Sequence, residues 1–140
     1  MSGVKNKIKV FFKNVHTTSI ATCLNNEPSC RVMEIQKVED NLTLWFVSHK
    51  NSNKIKHLRE NSKVSIADYD HVTHCDIRMF GNMTILEDQE TKDAVWTDHL
   101  SQYFKGGSSD PDYCVLKFTP NQLEYRDMKA NGFEPEIENL

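Results

Sequence analysis

Apolar residues at Val4, Ile8, Phe11, Phe12 and Val15 alternate with Lys5, Lys7, Lys9 and Lys13. That spacing predicts an amphipathic helix from Met1 to about His16. The pattern then changes period. Thr17 to Leu24 is rich in β-branched residues and reads as a strand, followed by a turn at Asn25-Asn26-Glu27-Pro28. A second strand is expected over Ser29 to about Val38, a tight turn at Asp40-Asn41, and a third strand over Leu42 to Ser48. Helical spacing returns over Asn51 to Asn61, with Ile55 and Leu58 facing inward. Strands are expected over Lys63 to Tyr69 and His74 to Leu86, the latter bent at Gly81. A helix capped by Asp88 should run to Phe104, with Trp96, Leu100 and Tyr103 as its inward stripe. A Gly-rich loop over Lys105 to Asp112 leads to strands at Tyr113 to Thr119 and Gln122 to Asp127, turned at Pro120-Asn121. From Met128 onward the chain reads as a loose tail. Short turns, rather than crossover helices, join most strands. The fold class is therefore mostly β with flanking helices, an antiparallel barrel rather than a parallel doubly wound sheet.

Composition narrows the setting. The chain has 140 residues, 38% hydrophobic and 26% charged, which fits one globular domain over 1–140. So short a chain has little surface to enclose a large ligand alone, and a pocket shared between two subunits would solve that. A formal net charge of -3 gives no basic face for nucleic acid, and the lysines of the first helix read as its wet side. No apolar run is long enough to span a membrane, and no secretory signal is evident, so a cytoplasmic protein is expected. Cys23, Cys30, Cys75 and Cys114 show no CxxC spacing and read as reduced thiols, although Cys23 and Cys30 flank a turn and could face each other across a hairpin.

The most informative stretch is Trp45-Phe46-Val47-Ser48-His49-Lys50-Asn51-Ser52-Asn53-Lys54. A strand ends at Ser48 and a helix starts near Ser52, so free N–H groups and a positive dipole end meet two hydroxyls and two lysines. Such a corner suits a phosphate monoester. Arg31 begins the neighbouring strand and can grip two oxygens at once. If 29–38 pairs with 42–48, hairpin register puts Arg31 and Ser48 at one end. The plainer alternative is an N-cap serine beside solvated lysines. Neither GxxxxGK[ST] nor GxGxxG is present.

The ordered set Arg31-Val32-Met33, Leu44-Trp45-Phe46-Val47-Ser48, Ser52-Asn53-Lys54, the Gly81 strand, Trp96, the Gly106-Gly107 to Asp112 loop and Leu123-Glu124-Tyr125 resembles the pyridoxamine 5'-phosphate oxidase-like FMN-binding split barrels, particularly their general stress protein branch. The resemblance implies an antiparallel split β-barrel, FMN as cofactor and a homodimer with the flavin at its interface. It implies that Arg31, Ser48, Ser52 and Lys54 hold the phosphate. Met33 and the backbone of Trp45, Phe46 and Val47 would border the flavin ring, with Val32 also among the cofactor-binding residues. Trp96, the Lys105-to-Gly107 region and Tyr113 would approach from the partner subunit. Three departures stand out. Asn53 replaces an arginine common in the family. Asp76 stands where a glutamine often touches the flavin. The C-terminal Arg-x-His substrate motif of true pyridoxamine phosphate oxidases is missing, so vitamin B6 oxidation is not expected.

His71, His74, Cys75 and Asp76 look metal-like, but alternate residues entering a strand point opposite ways, and a surface loop with no metal is the preferred reading. The function classes left open are an FMN-dependent oxidoreductase, with a nicotinamide as one candidate reductant, a flavin-binding module without turnover, and a split barrel that binds haem or another phosphorylated ligand.

Overall fold

A computed structural model describes residues 3–140. Met1 and Ser2, the start of the expected first helix, lie outside the described residues. Helix α1 spans Val4–Phe11 and ends earlier than its pattern predicts. An antiparallel hairpin follows, β1 (Thr17–Leu24) and β2 (Glu27–Glu34). Its loop is only Asn25-Asn26, with φ of 52° and 62°, left-handed values that asparagine tolerates and a two-residue hairpin turn requires. The register sets Cys23 opposite Pro28 and Cys30 opposite Ala21, so the two cysteines do not face each other, and both are free thiols.

The second expected strand does not continue to Val38. It stops at Glu34, and a separate β3 (Lys37–Val38) pairs with β4 (Leu44–His49). Between them the backbone changes partners: the Ile35 N–H donates to His16 O at 2.8 Å and the Gln36 N–H to Trp45 O at 2.8 Å. Strand order in the sheet is β2-β1-β5-β6-β7-β4-β3, with β5 Lys63–Asp70, β6 Cys75–Leu86 and β7 Tyr113–Asp127. β2 and β3 therefore lie at opposite ends of the order yet are two residues apart in the chain. That short link curls the sheet into a split barrel. It also means that Arg31 pairs with Ile20 on β1, not with β4, so the hairpin register expected for it is wrong.

β7 is one 15-residue strand rather than a pair turned at Pro120. Phe80 faces Gln122 and Gly81 faces Pro120, leaving Asn121 as the bulged residue. A Cβ on Gly81 would sit 2.1 Å from the Thr119 carbonyl oxygen, so only glycine lets β7 pass. The tail is ordered too. Asp127 caps a short helix α4 (Met128–Asn131), and β8 (Glu136–Asn139) adds to the second half of β7. Lys7 binds Glu136 at 2.7 Å.

The main core packs Ile8 and Phe11 of α1, and Phe12 just after it, against Ile20, Phe46, Ile66, Ile77, Leu116 and Phe118. Helix α2 (Asn53–Glu60) contributes Ile55 and Leu58 to it. A second cluster forms outside β4 and β7 from Leu100, Phe104, Tyr113 and Val115, with Trp45, Val47 and Trp96 against it. The helix expected over 88–104 is divided. Asp88 accepts from the Thr91 N–H and caps α3 (Gln89–Val95), but Trp96 and Thr97 are extended, and a 3₁₀ turn covers Asp98–Gln102. Packing of the Trp96 ring on Tyr113, 5.4 Å between centroids, accompanies the break, and Tyr103 of the expected inward stripe is exposed. Among the described residues, no helix is long and apolar enough to cross a membrane.

Candidate ligand-binding site

β4 alternates strictly. Leu44, Phe46 and Ser48 point to the barrel core, while Trp45 and Val47 point to the outer cluster. Ser48 is the last buried residue before the chain leaves the strand, and Cys114 backs it, donating its thiol to Ser48 O at 3.4 Å. Burial pushes that thiol up to about 11, so it stays protonated and inert. Four residues later Ser52 occupies the N-cap of α2, but its hydroxyl caps nothing. It turns instead to Ser48, with the two oxygens 3.0 Å apart, and the Lys54 ammonium donates to both, at 3.1 Å and 3.3 Å. The plain N-cap reading of Ser52 is thereby replaced: an N-cap hydroxyl has been diverted into a polar cluster and the helix N-terminus left open.

Arg31 reaches the same corner through closure of the barrel. Its guanidinium donates from Nη1 to Ile20 O at 3.2 Å and Thr22 Oγ1 at 2.9 Å, and from Nη2 to Ser29 Oγ at 3.0 Å. The remaining two of its five N–H groups, on Nε and Nη2, have no partner among the described residues. Burial lowers the pKa of Lys54, and repulsion from Arg31 lowers it further. Arg31 is lowered by burial as well. Among the described residues neither cation has a carboxylate within 4.0 Å. Two cations, partly withdrawn from water and repelling each other beside an open helix N-terminus, fit a doubly charged oxyanion.

A cleft of about 260 Å³ adjoins this corner. Val32, Met33, Val47, Ser48, His49 and Lys54 form one side of it, and Leu100, Tyr103 and Phe104 form the other, with Glu34 and Gln36 at the margin. The His49 ring lies on Phe104, 4.5 Å between centroids. Val32 and Tyr103 are 67% and 54% exposed, so the apolar rim is open to solvent in the single chain.

Of the residues expected at the site, Arg31, Val32, Met33, Val47, Ser48, Ser52 and Lys54 come together. Asn53 is exposed on the first turn of α2. Phe46 is in the core, and Trp45 lies on the outer cluster with its indole N–H on Glu39 at 2.9 Å. Asp76 stands apart, its charge met by Arg126 at 2.8 Å in a crevice shared with Arg78 and Glu124. Tyr113 is fully buried, donating its hydroxyl to Lys92 O at 2.9 Å, and burial pushes its pKa up to about 12. Trp96 packs on it. Sequence reasoning missed Thr22, Leu100 and Phe104, and also His57, whose Nδ1 lies 3.0 Å from Thr22 Oγ1. Leu100 and Phe104 carried a signal, their i,i+4 spacing, whereas Thr22 becomes part of the corner only through the barrel's closure.

Known proteins share this fold. A family model described as pyridoxamine 5'-phosphate oxidase like matches residues 4–138. No curated protein matches the sequence significantly. General stress protein 26 of Bacillus anthracis is 25% identical, with 98% of each chain covered and a TM-score of 0.80. A Clostridium acetobutylicum protein related to general stress protein 26, of the pyridoxinephosphate oxidase family, is 20% identical over 97% of this chain and 94% of that one, TM-score 0.84. A pyridoxamine 5'-phosphate oxidase-related, FMN binding protein of Nostoc punctiforme is 18% identical over 100% and 97%, TM-score 0.78.

Proposed function

This chain belongs to the pyridoxamine 5'-phosphate oxidase-like family, and on that premise we propose that it is an FMN-binding flavoprotein, an oxidoreductase whose cofactor sits at the interface of a homodimer. One observation carries the reading. Arg31 and Lys54 are both partly desolvated, both without a carboxylate within 4.0 Å among the described residues, and close enough to repel each other, with Lys54 on the hydroxyls of Ser48 and Ser52 at an open helix N-terminus. That is a receptor for a phosphate monoester attached to something apolar, because the adjoining cleft is floored by Met33 and Val47. The cleft volume falls below the roughly 300–1,000 Å³ usual for a small-molecule site, and its open rim of Val32 and Tyr103 is where a second copy would supply the missing wall.

When bound, FMN would supply hydride and single-electron transfer. The chain's own contribution is binding and orientation. Arg31, Ser48, Ser52 and Lys54 would anchor the phosphate, and the backbone of Trp45 to Val47 with Met33 would set the plane beside it. No protein acid or base is needed for that role. The reductant proposed is a nicotinamide. The reading does not extend to vitamin B6 oxidation, since after Tyr125-Arg126-Asp127 the chain caps α4 rather than carrying an Arg-x-His motif. The same feature favours a second reading, a flavin-binding module without turnover.

Absorbance spectroscopy of the purified protein tests the binding. Protein that remains colourless after incubation with FMN and desalting would defeat both readings. Stopped-flow reduction by NADH or NADPH then separates them: reduction followed by transfer to an acceptor excludes the passive module.

A further inference from the structure

We propose that His57 is a positioning residue for the ligand's phosphate, acting through Thr22 on Arg31. The inference rests on the phosphate reading above and identifies what sets its selectivity. Thr22 Oγ1 lies 2.9 Å from Arg31 Nη1 and 3.0 Å from His57 Nδ1. Arg31 can only donate, so Thr22 Oγ1 accepts from it and keeps its own proton for the Nδ1 of a His57 ring protonated on Nε2. Thr22 is 3% exposed, so water does not replace either partner.

The consequence is mechanical as well as electrostatic. Both N–H groups of Nη1 and one of Nη2 are tied to Ile20, Thr22 and Ser29. What remains is the Nε–H and one Nη2–H, two donors left for phosphate oxygens. Thr22 thereby stops the long side chain from rotating away. His57 sits on α2, three residues beyond Lys54. The hydrogen-bonded path Arg31–Thr22–His57 therefore joins the strand that carries one cation to the helix that carries the other. It holds the two halves of the anion site at a fixed spacing, which is preorganisation rather than contact.

The test measures FMN and riboflavin affinity by flavin fluorescence on the full chain, alongside ligand-free melting curves. Riboflavin shares the ring and lacks the phosphate. Thr22→Val should weaken FMN about tenfold or more while changing riboflavin less than about twofold, and Thr22→Ser should recover most of the loss. His57→Phe should weaken FMN by about three- to tenfold with riboflavin again unmoved. If Thr22→Val does not fold, His57→Phe and His57→Gln, at a half-buried helix position, carry the comparison. Equal losses for both flavins would show a merely structural role and overturn the proposal. So would wild-type FMN affinity in Thr22→Val and His57→Phe alongside a loss in Arg31→Ala. An Arg31→Ala protein that binds FMN as well as wild type would instead sink the phosphate reading itself.

Discussion

Replacing Lys54 with methionine should move stability and affinity in opposite directions. The methionine keeps the apolar stem and removes a charge that the ligand-free fold tolerates poorly, as its lowered pKa records: burial first, then repulsion from Arg31. Because the side chain is only partly withdrawn from water, solvent blunts that penalty, and relief of about 0.5–1 kcal/mol is expected. At this chain length it appears as a rise of roughly 2–6 °C in ligand-free Tm. Binding should suffer more, because a charge-assisted hydrogen bond to a phosphate oxygen is worth about 1.5–3 kcal/mol, or roughly 10–150-fold in Kd. The pH dependence has a definite sign. A lysine whose folded pKa lies below its unfolded value binds fewer protons folded than unfolded between the two, so ligand-free wild type gains stability as pH rises toward 10.5. Lys54→Met should lack that gain. Melting curves with and without FMN across the alkaline range measure all three effects. A variant with lower ligand-free Tm and unchanged FMN affinity would show that Lys54 is part of the scaffold and that the cation pair is not waiting for an anion.

Arg31→Ala should reduce FMN affinity by about 2–4 kcal/mol, read by fluorescence titration. Gly81→Ala should destabilise by about 3 kcal/mol in urea unfolding, because the new Cβ meets the Thr119 carbonyl and the Pro120 Cα, both backbone atoms that cannot step aside. Truncation before Gly132 strips β8 from β7 and removes the Lys7–Glu136 pair, so Tm should fall and the edge of β7 should lose amide protection in hydrogen exchange. Asp88→Ala should loosen α3, and since hydrogen bonds from Thr91 hold that carboxyl below its usual range, the stabilisation it gives should disappear as pH falls through its lowered pKa, visible by circular dichroism.

The strands were legible because their period-2 patterns reflect burial on one face, and α2 because Ile55 and Leu58 share a face. The break after Glu34 was not. Ile35-Gln36 carries no turn residue, and the change of partner there is imposed by closure of the barrel, a long-range event. The same closure brings Arg31 to Lys54, so the expected residue stands at the site by a route that local register did not describe. The split in the 88–104 helix has a similar origin, with Trp96 held by Tyr113 from β7. The tail hid its strand because Glu136–Asn139 alternates partly covered and exposed residues on an edge, with no strong apolar face of its own. At the site, residue types announced Ser48, Ser52 and Lys54, while Thr22 and His57 depended on a three-dimensional meeting of β1, β2 and α2.

The most direct test of the central claim is calorimetric titration of the wild-type chain with FMN and, in parallel, with riboflavin. One FMN should bind per chain, at least about a hundredfold more tightly than riboflavin, since the phosphate meets two charged donors. Equal affinity for the two flavins, or binding of neither, would contradict it.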